Sequence, residues 1–286
     1  MTGSEAARTT AGTAAPATPR FDLAAEAAGG PLEVVVATVA PRPVDPADLA
    51  LLSAAERERA AAFRRPEDAA RFVTGRRVAR RLLADRLGTA PVDVDLVVPR
   101  PGWKPRVPGT TLDVSIAHAG AVVLVAIADG AEVGVDVERA EVATTLDPEL
   151  WRGATSAAER DALGTLAWPA GTTDAAAVDP GTARPAPDPT AVDAFLRVWV
   201  RKEAVLKALR VGLAVPMDAL TVRDADPPAV LELPPGPVAA GDVTLLDLGA
   251  PVGHRAALAV LTRRPVVVVD AATGARVGSA SSDAGG

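Results

Sequence analysis

The chain has 286 residues, 49% of them apolar, with a formal net charge of −6 and a pI near 5.1. This length permits one large domain or two small ones, and the acidic balance excludes a general nucleic-acid binder. Zero Cys excludes disulfides, Cys-ligated zinc and thiol nucleophiles; no apolar run approaches the ~20 residues of a membrane span, and the start lacks a signal-peptide pattern, so a cytoplasmic chain is expected.

Residues 1–30 are rich in Ala, Thr and Gly without periodicity and read as a disordered tail. Leu32–Val39 alternates as a strand, followed by helices over Pro46–Phe63 and Pro66–Leu87, each opened by Pro, with Gly88 closing the second. A strand around Val92–Val98 leads to a turn at Gly102-Trp103-Lys104-Pro105. Leu112–Ala117 and Val122–Ala128 read as strands, and Asp129-Gly130 signals a hairpin into Val133–Val137. A helix over Pro148–Leu163 precedes an Ala/Pro/Gly-rich segment, residues 169–189, which reads as an inserted flexible loop. A helix over Val192–Arg210 follows, then strands near Leu220–Arg223, Val230–Leu233, Val243–Leu248 and Ala256–Leu261. From about Ala271 the composition again resembles a tail. Strand, helices and strands recur in each half, so the expected class is α+β with two pseudo-duplicated α/β halves.

Only three lysines occur among the 30 basic residues, Lys104, Lys202 and Lys207. The chain also lacks Asn, Gln and Tyr, the pattern of a G/C-rich genome that writes positive charge as Arg. A lysine kept against that bias marks a place where a compact ammonium is needed.

Asp136 and Glu138 stand at i and i+2 on a strand and share a face. The pair reads either as one polar strand face or as ligands for Mg²⁺, which takes a few carboxylates. Trp199, Glu203 and Lys207 form one helical stripe. Glu203 and Lys207 are a surface pair, or a metal carboxylate or base beside a phosphate-binding ammonium; the rarity of lysine favours the second reading. His118 ends a strand and is either structural or a hydrogen-bond donor to a phosphate oxygen. Residues 57–86 hold ten arginines interleaved with acids, mostly a solvated face, with a few able to hold an anion bidentately.

In order and spacing, these motifs resemble the 4′-phosphopantetheinyl transferases of the surfactin-synthetase-activating type. They are Glu56-Arg57-Glu58-Arg59 through Phe63, Asp68 to Arg76, the Lys104-Pro105 turn, Ala117-His118-Ala119-Gly120, Gly134-Val135-Asp136-Val137-Glu138, and Trp199-Val200-Arg201-Lys202-Glu203-Ala204-Val205-Leu206-Lys207. The resemblance covers roughly residues 32–262. It implies transfer of the phosphopantetheine arm of coenzyme A (CoA) to a serine of an acyl, peptidyl or aryl carrier protein, with release of 3′,5′-ADP. It also implies a monomer without nucleic-acid or membrane partners. Asp136, Glu138 and Glu203 would hold Mg²⁺, for which Mn²⁺ could substitute, with Glu203 also as base and Lys207 neutralising leaving-group charge. Arg59, Arg71, Lys104, Pro105, His118 and Lys202 would line the CoA site. By this reading residues 31–130 form a CoA-binding half and 131–268 a catalytic half, between tails at 1–30 and 269–286.

The chain departs from the family at Ala117 and Ala119, where hydroxyls are usual, at the inserted Trp103, at Glu56 in place of a lysine, and at Arg210-Val211-Gly212-Leu213. The same carboxylates and lysines would also serve a Mg²⁺-dependent phosphate-ester hydrolase. A CoA- or carrier-binding scaffold without activity is a third reading, opposed by the intact trio of carboxylates.

Overall fold

The computed structural model describes residue 23 and residues 29–100, 102–141, 148–163 and 188–280. Two sheets face one another. The first has the order β10-β9-β1-β3-β2, with β1 (Leu32–Val39), β2 (Leu112–Ala119), β3 (Val122–Asp129), β9 (Val266–Asp270) and β10 (Arg276–Ala280). The second has the order β4-β8-β7, from β4 (Glu132–Arg139), β7 (Val243–Leu248) and β8 (His254–Leu261). A short hairpin pairs β5 (Thr221–Val222) with β6 (Val230–Glu232).

Alternation along the strands builds the layers. Val34 and Val36 of β1, Leu124 and Ala126 of β3, Val133 and Val135 of β4, and Leu258 of β8 fill the space between the sheets. Their strand neighbours point outward, because successive side chains take opposite faces. Val35, Val123 and Val125 pack with Val78, Ala79 and Leu83 of α3 (Pro66–Leu87). Ala257 and Ala259 pack with Val198, Val205 and Leu206 of α6 (Pro189–Ala208). The result is four layers: helix, sheet, sheet, helix.

Several expected elements take a different form. The single helix expected over Pro46–Phe63 is two, α1 (Pro46–Ala50) and α2 (Ala54–Ala61). Ser53 breaks it by capping α2, its Oγ accepting from Glu56 N at 3.2 Å while Glu56 Oε2 accepts from Ser53 N at 2.9 Å. Ser156 divides Pro148–Leu163 in the same way into α4 (Pro148–Ala154) and α5 (Ala157–Leu163), with Glu159 as its reciprocal acceptor. Such reciprocal caps satisfy orphan donors at a helix start. The strand expected at Val92–Val98 is a 3₁₀ turn, Pro91–Asp93, and one bridge between Val97 and Arg106.

Asp129-Gly130 makes no hairpin. The chain turns there, Gly130 with φ 83°, and passes to the other sheet, where β4 pairs antiparallel with β8. The end of the chain also differs from the expected tail. The valine run 266–269 forms β9, parallel to β1, and β10 pairs with it as far as Ala280. The expected tail at 1–30 lies mostly outside the described residues, but Leu23 is buried against the α6 core. The loop expected at 169–189 lies outside them through residue 187; Asp188 and Pro189 belong to the start of α6, the Asp188 side chain accepting from Thr190 N at 2.7 Å. Among the described residues no helix is long and apolar enough to cross a membrane.

Helix α6 lies unusually close to β4 at Gly134. A Cβ there would stand 1.9 Å from Ala204 O and 2.5 Å from Ala208 N. Both are helix backbone and cannot swing aside, so β4 and α6 meet at that distance because residue 134 has no side chain. Gly134→Ala is therefore expected to lower stability by about 1–3 kcal/mol or more, read as a fall in melting temperature. An unchanged melting temperature would show that the helix can ride outward freely.

Candidate active site

The close approach at Gly134 brings the two sequence motifs together. Asp136 and Glu138 share with Gly134 the face of β4 turned toward α6. Across β8 their partners are Ala257 and Arg255, and the small Ala257 leaves room beside Asp136. From α6, Lys207 Nζ donates to Asp136 Oδ1 at 2.6 Å and to the Val135 carbonyl at 3.2 Å. Asp136 is buried, 8% exposed, and that burial pushes its carboxyl above the ordinary range, against the pull of the Lys207 charge. Glu203, one turn before Lys207, is raised by burial too; Lys207 opposes the shift and the Asp136 charge adds to it. Glu138 is raised by burial, partly offset by the Arg139 N–H that its Oε1 accepts at 2.8 Å. Two carboxylates with raised proton affinity, Asp136 and Glu203, thus share one ammonium, and Glu138 adds a third beside Asp136.

His118 stands at the end of β2, open to solvent on one side. Crowding by its neighbours lowers its pKa, and the charges of Arg71 and Lys207 add to this. The ring is consequently biased toward the neutral form, which donates from one nitrogen only. His118 and Lys207 line a cavity of about 210 Å³ together with Phe72, Arg76, Lys104 and Pro105. At Gly75 of α3 a Cβ would stand 2.8 Å from Ile116 Cγ2, so a missing side chain also sets the approach of α3 to β2.

Other expected site residues are placed differently. Arg71 bonds to Asp68 and to the Gly120 carbonyl, at the turn just after His118. Arg59 is exposed, its guanidinium 4.9 Å from the centre of the Phe63 ring. Lys104 lines the cavity, but its ammonium is bonded to Asp113 and to the Val133 carbonyl. Burial lowers its pKa to about 8 in spite of the Asp113 charge. Lys202, expected among the CoA ligands, is fully buried and bonded to Glu159, Ala154 O and Met217 O, the carbonyls both at 2.9 Å. Helical geometry explains the difference: successive residues point about 100° apart. Arg201 turns to Asp247 of β7 at 2.6 and 2.9 Å, Lys202 turns into the protein interior, and Glu203 turns toward the site.

The sequence reading missed Asp113, Ser115, Glu132 and Arg210. The Asp113 carboxylate and Ser115 hydroxyl accept from the backbone N–H groups of Val133 and Val135 at 2.9 and 3.0 Å. The available signal was a polar residue at every second position in an otherwise apolar strand. Glu56, the departure from the family's lysine, holds the buried Arg80 at 2.7 and 3.0 Å.

The donor set of Asp136, Glu138 and Glu203 consists of hard oxygens, which suits Mg²⁺ chemically. Among the described residues, though, no three acidic or imidazole groups stand in an arrangement that would hold a metal ion.

Residues 132–234 match the model of the 4′-phosphopantetheinyl transferase superfamily. The matched stretch contains Asp136, Glu138, Glu203 and Lys207 and excludes His118, Arg71 and Lys104. A 4′-phosphopantetheinyl transferase of Bacillus subtilis is 27% identical over 190 residues, 66% of this chain and 74% of that protein. Residues 132–234 are thus similar to that superfamily, and the alignment with the relative, at 190 residues, is longer than this stretch.

Two outcomes follow from these placements. Asp136 has a folded pKa raised above its ordinary 3.8, so protonating it favours the folded state, fully below 3.8 and progressively less as pH rises through the folded value. Lys207→Met removes the ammonium that opposes this shift, so its melting temperature should fall further below wild type at pH 7.5 than at pH 5. A deficit independent of pH would show that the pair carries no such coupling. Lys202→Met should lower the melting temperature while leaving CoA affinity, measured by calorimetry, within about twofold, because a buried partnered lysine acts on stability; a selective loss of CoA affinity would return Lys202 to the binding surface.

Proposed function

We propose that the protein is a 4′-phosphopantetheinyl transferase of the surfactin-synthetase-activating type, with two pseudo-duplicated halves, acting as a cytoplasmic monomer on acyl, peptidyl or aryl carrier proteins. The observation that carries the reading is the meeting of Asp136, Glu203 and Lys207 beside the cavity that His118 lines, within the reach of the superfamily match. In the reaction, the carrier serine oxygen attacks the phosphorus of the CoA pyrophosphate that bears the pantetheine arm. A new P–O bond forms, the bond to 3′,5′-ADP breaks, and the serine proton leaves to a base.

Glu203 is the base, directly or through a water. Its raised proton affinity makes it a stronger base than an ordinary carboxylate, and base assistance of this kind is worth about 10²–10⁴-fold. Lys207 places its positive charge where negative charge grows on the leaving group. Neutral His118 donates a hydrogen bond to a phosphate oxygen, and Arg71 and Arg59 supply cations for the nucleotide end. Asp136, Glu138 and Glu203 do not form a closed metal cluster as they stand, but their hard oxygens suit Mg²⁺, which they would hold on drawing together and which would then supply charge neutralisation at the pyrophosphate.

The test incubates the protein with CoA, Mg²⁺ and apo-carrier proteins and follows carrier mass. A gain of one phosphopantetheine, lost in excess EDTA, is expected; release of free phosphopantetheine without carrier would point to a hydrolase instead. Glu203→Gln should lower kcat by about 10²-fold with CoA affinity little changed. Near-wild-type turnover in that variant would remove the base role.

A further inference from the structure

Arg210 lies just past α6 with φ 59°, a left-handed backbone that L side chains with a Cβ rarely adopt. It is buried, 7% exposed. The helix end unwinds around it, Arg210 N donating to Lys207 O and Val211 N to Leu206 O, both at 3.2 Å. The guanidinium turns away from solvent and bonds to Asp113 of β2 through Nη2, while its Nε lies 3.2 Å from Glu132 Oε1 at the start of β4. Asp113 also accepts from Lys104 and from Val133 N. One planar cation therefore fastens the end of α6 to strands of both sheets.

The fastening is three residues from Lys207 and seven from Glu203. Arg201 on Asp247 and Lys202 on Glu159 anchor the middle of α6, and alanine and valine contacts pack it on β8; beyond Lys207, Arg210 is the polar anchor of its C-terminal end. The hydrogen bond from Nη2 of Arg210 to the buried Asp113 carboxylate is directional, and the Glu132 charge beside Nε adds attraction. We infer that Arg210 is a positioning residue for the transfer reaction: it fixes the C-terminal turn of α6, so that Lys207 meets Asp136 beside Glu203. The inference rests on the transferase reading, and Arg210 itself touches none of the proposed reacting groups.

The test compares wild type, Arg210→Lys and Arg210→Gly in the full-length protein, with melting temperature measured alongside steady-state transfer to an apo-carrier. Arg210→Lys keeps a cation beside Asp113 but cannot bridge both carboxylates. Its kcat should fall about tenfold, since misplacement on the order of 1 Å is enough for such losses, while KM for CoA stays within about twofold. Arg210→Gly suits the left-handed backbone and should lose more turnover. If it does not fold, Arg210→Lys alone decides. A lowered melting temperature with unchanged kcat would overturn the positioning role and leave only a structural one. Wild-type protein that transfers nothing to any carrier would overturn the transferase reading itself, and this role with it.

Discussion

The free edge of β4 is the constraint around which the site is organised. β4 is an outer strand of its sheet, paired only with β8. On its other side, the N–H groups of Val133 and Val135 would be buried without ladder partners, at a cost of about 1–3 kcal/mol each if left so. Asp113 and Ser115 take these N–H groups, and Lys104 and Lys207 donate to the carbonyls of the same two residues. Side chains thus replace a missing strand. The replacement joins β2, the cavity turn and α6 to β4, and each of them brings a site residue: His118, Pro105 and Glu203.

Closing an edge in this way also keeps it from pairing with a second chain, a liability of exposed strand edges. The functional consequence is tighter than the structural one. Lys207 reaches both Val135 O and Asp136, so the atom that caps the edge is the same atom that neutralises the carboxylate. Gly134 permits this, since any side chain there would hold α6 away from the strand. Stability of the seam and geometry of the site are for that reason one property of the molecule.

Much of this was legible in the chain and some was not. β1 and β7 keep the limits that alternation gave them, and α3 runs from Pro66 to the glycine at 88, because apolar periodicity and punctuation act locally. Asp136, Glu203 and Lys207 were legible as a group because their spacing on strand and helix fixes the faces they occupy. Partner choice was not. A turn signal at Asp129-Gly130 specifies a reversal, not which strand lies beyond it, and the crossing from β3 to β4 depends on packing between sheets. β9 was hidden for a similar reason: four valines are compatible with a buried strand, but only its pairing with β1, far away in sequence, makes it one.

The lysines show how one clue can be right about chemistry and incomplete about purpose. A chain that writes positive charge as arginine kept ammonium groups at 104, 202 and 207. In the structure each has a carboxylate and at least one main-chain carbonyl as partners: Asp113 and Val133 O, Glu159 with Ala154 O and Met217 O, Asp136 and Val135 O. Three donors radiating from one atom satisfy acceptors in different directions within a smaller volume than the flat, wide fork of arginine requires. Need for an ammonium therefore does not distinguish a phosphate site from a crowded polar seam. Exposure does. Lys202 is sealed and Lys104 nearly so, whereas the Lys207 side chain keeps 27% of its surface open. Of the three, Lys207 alone combines an ammonium geometry with a substantial opening to solvent.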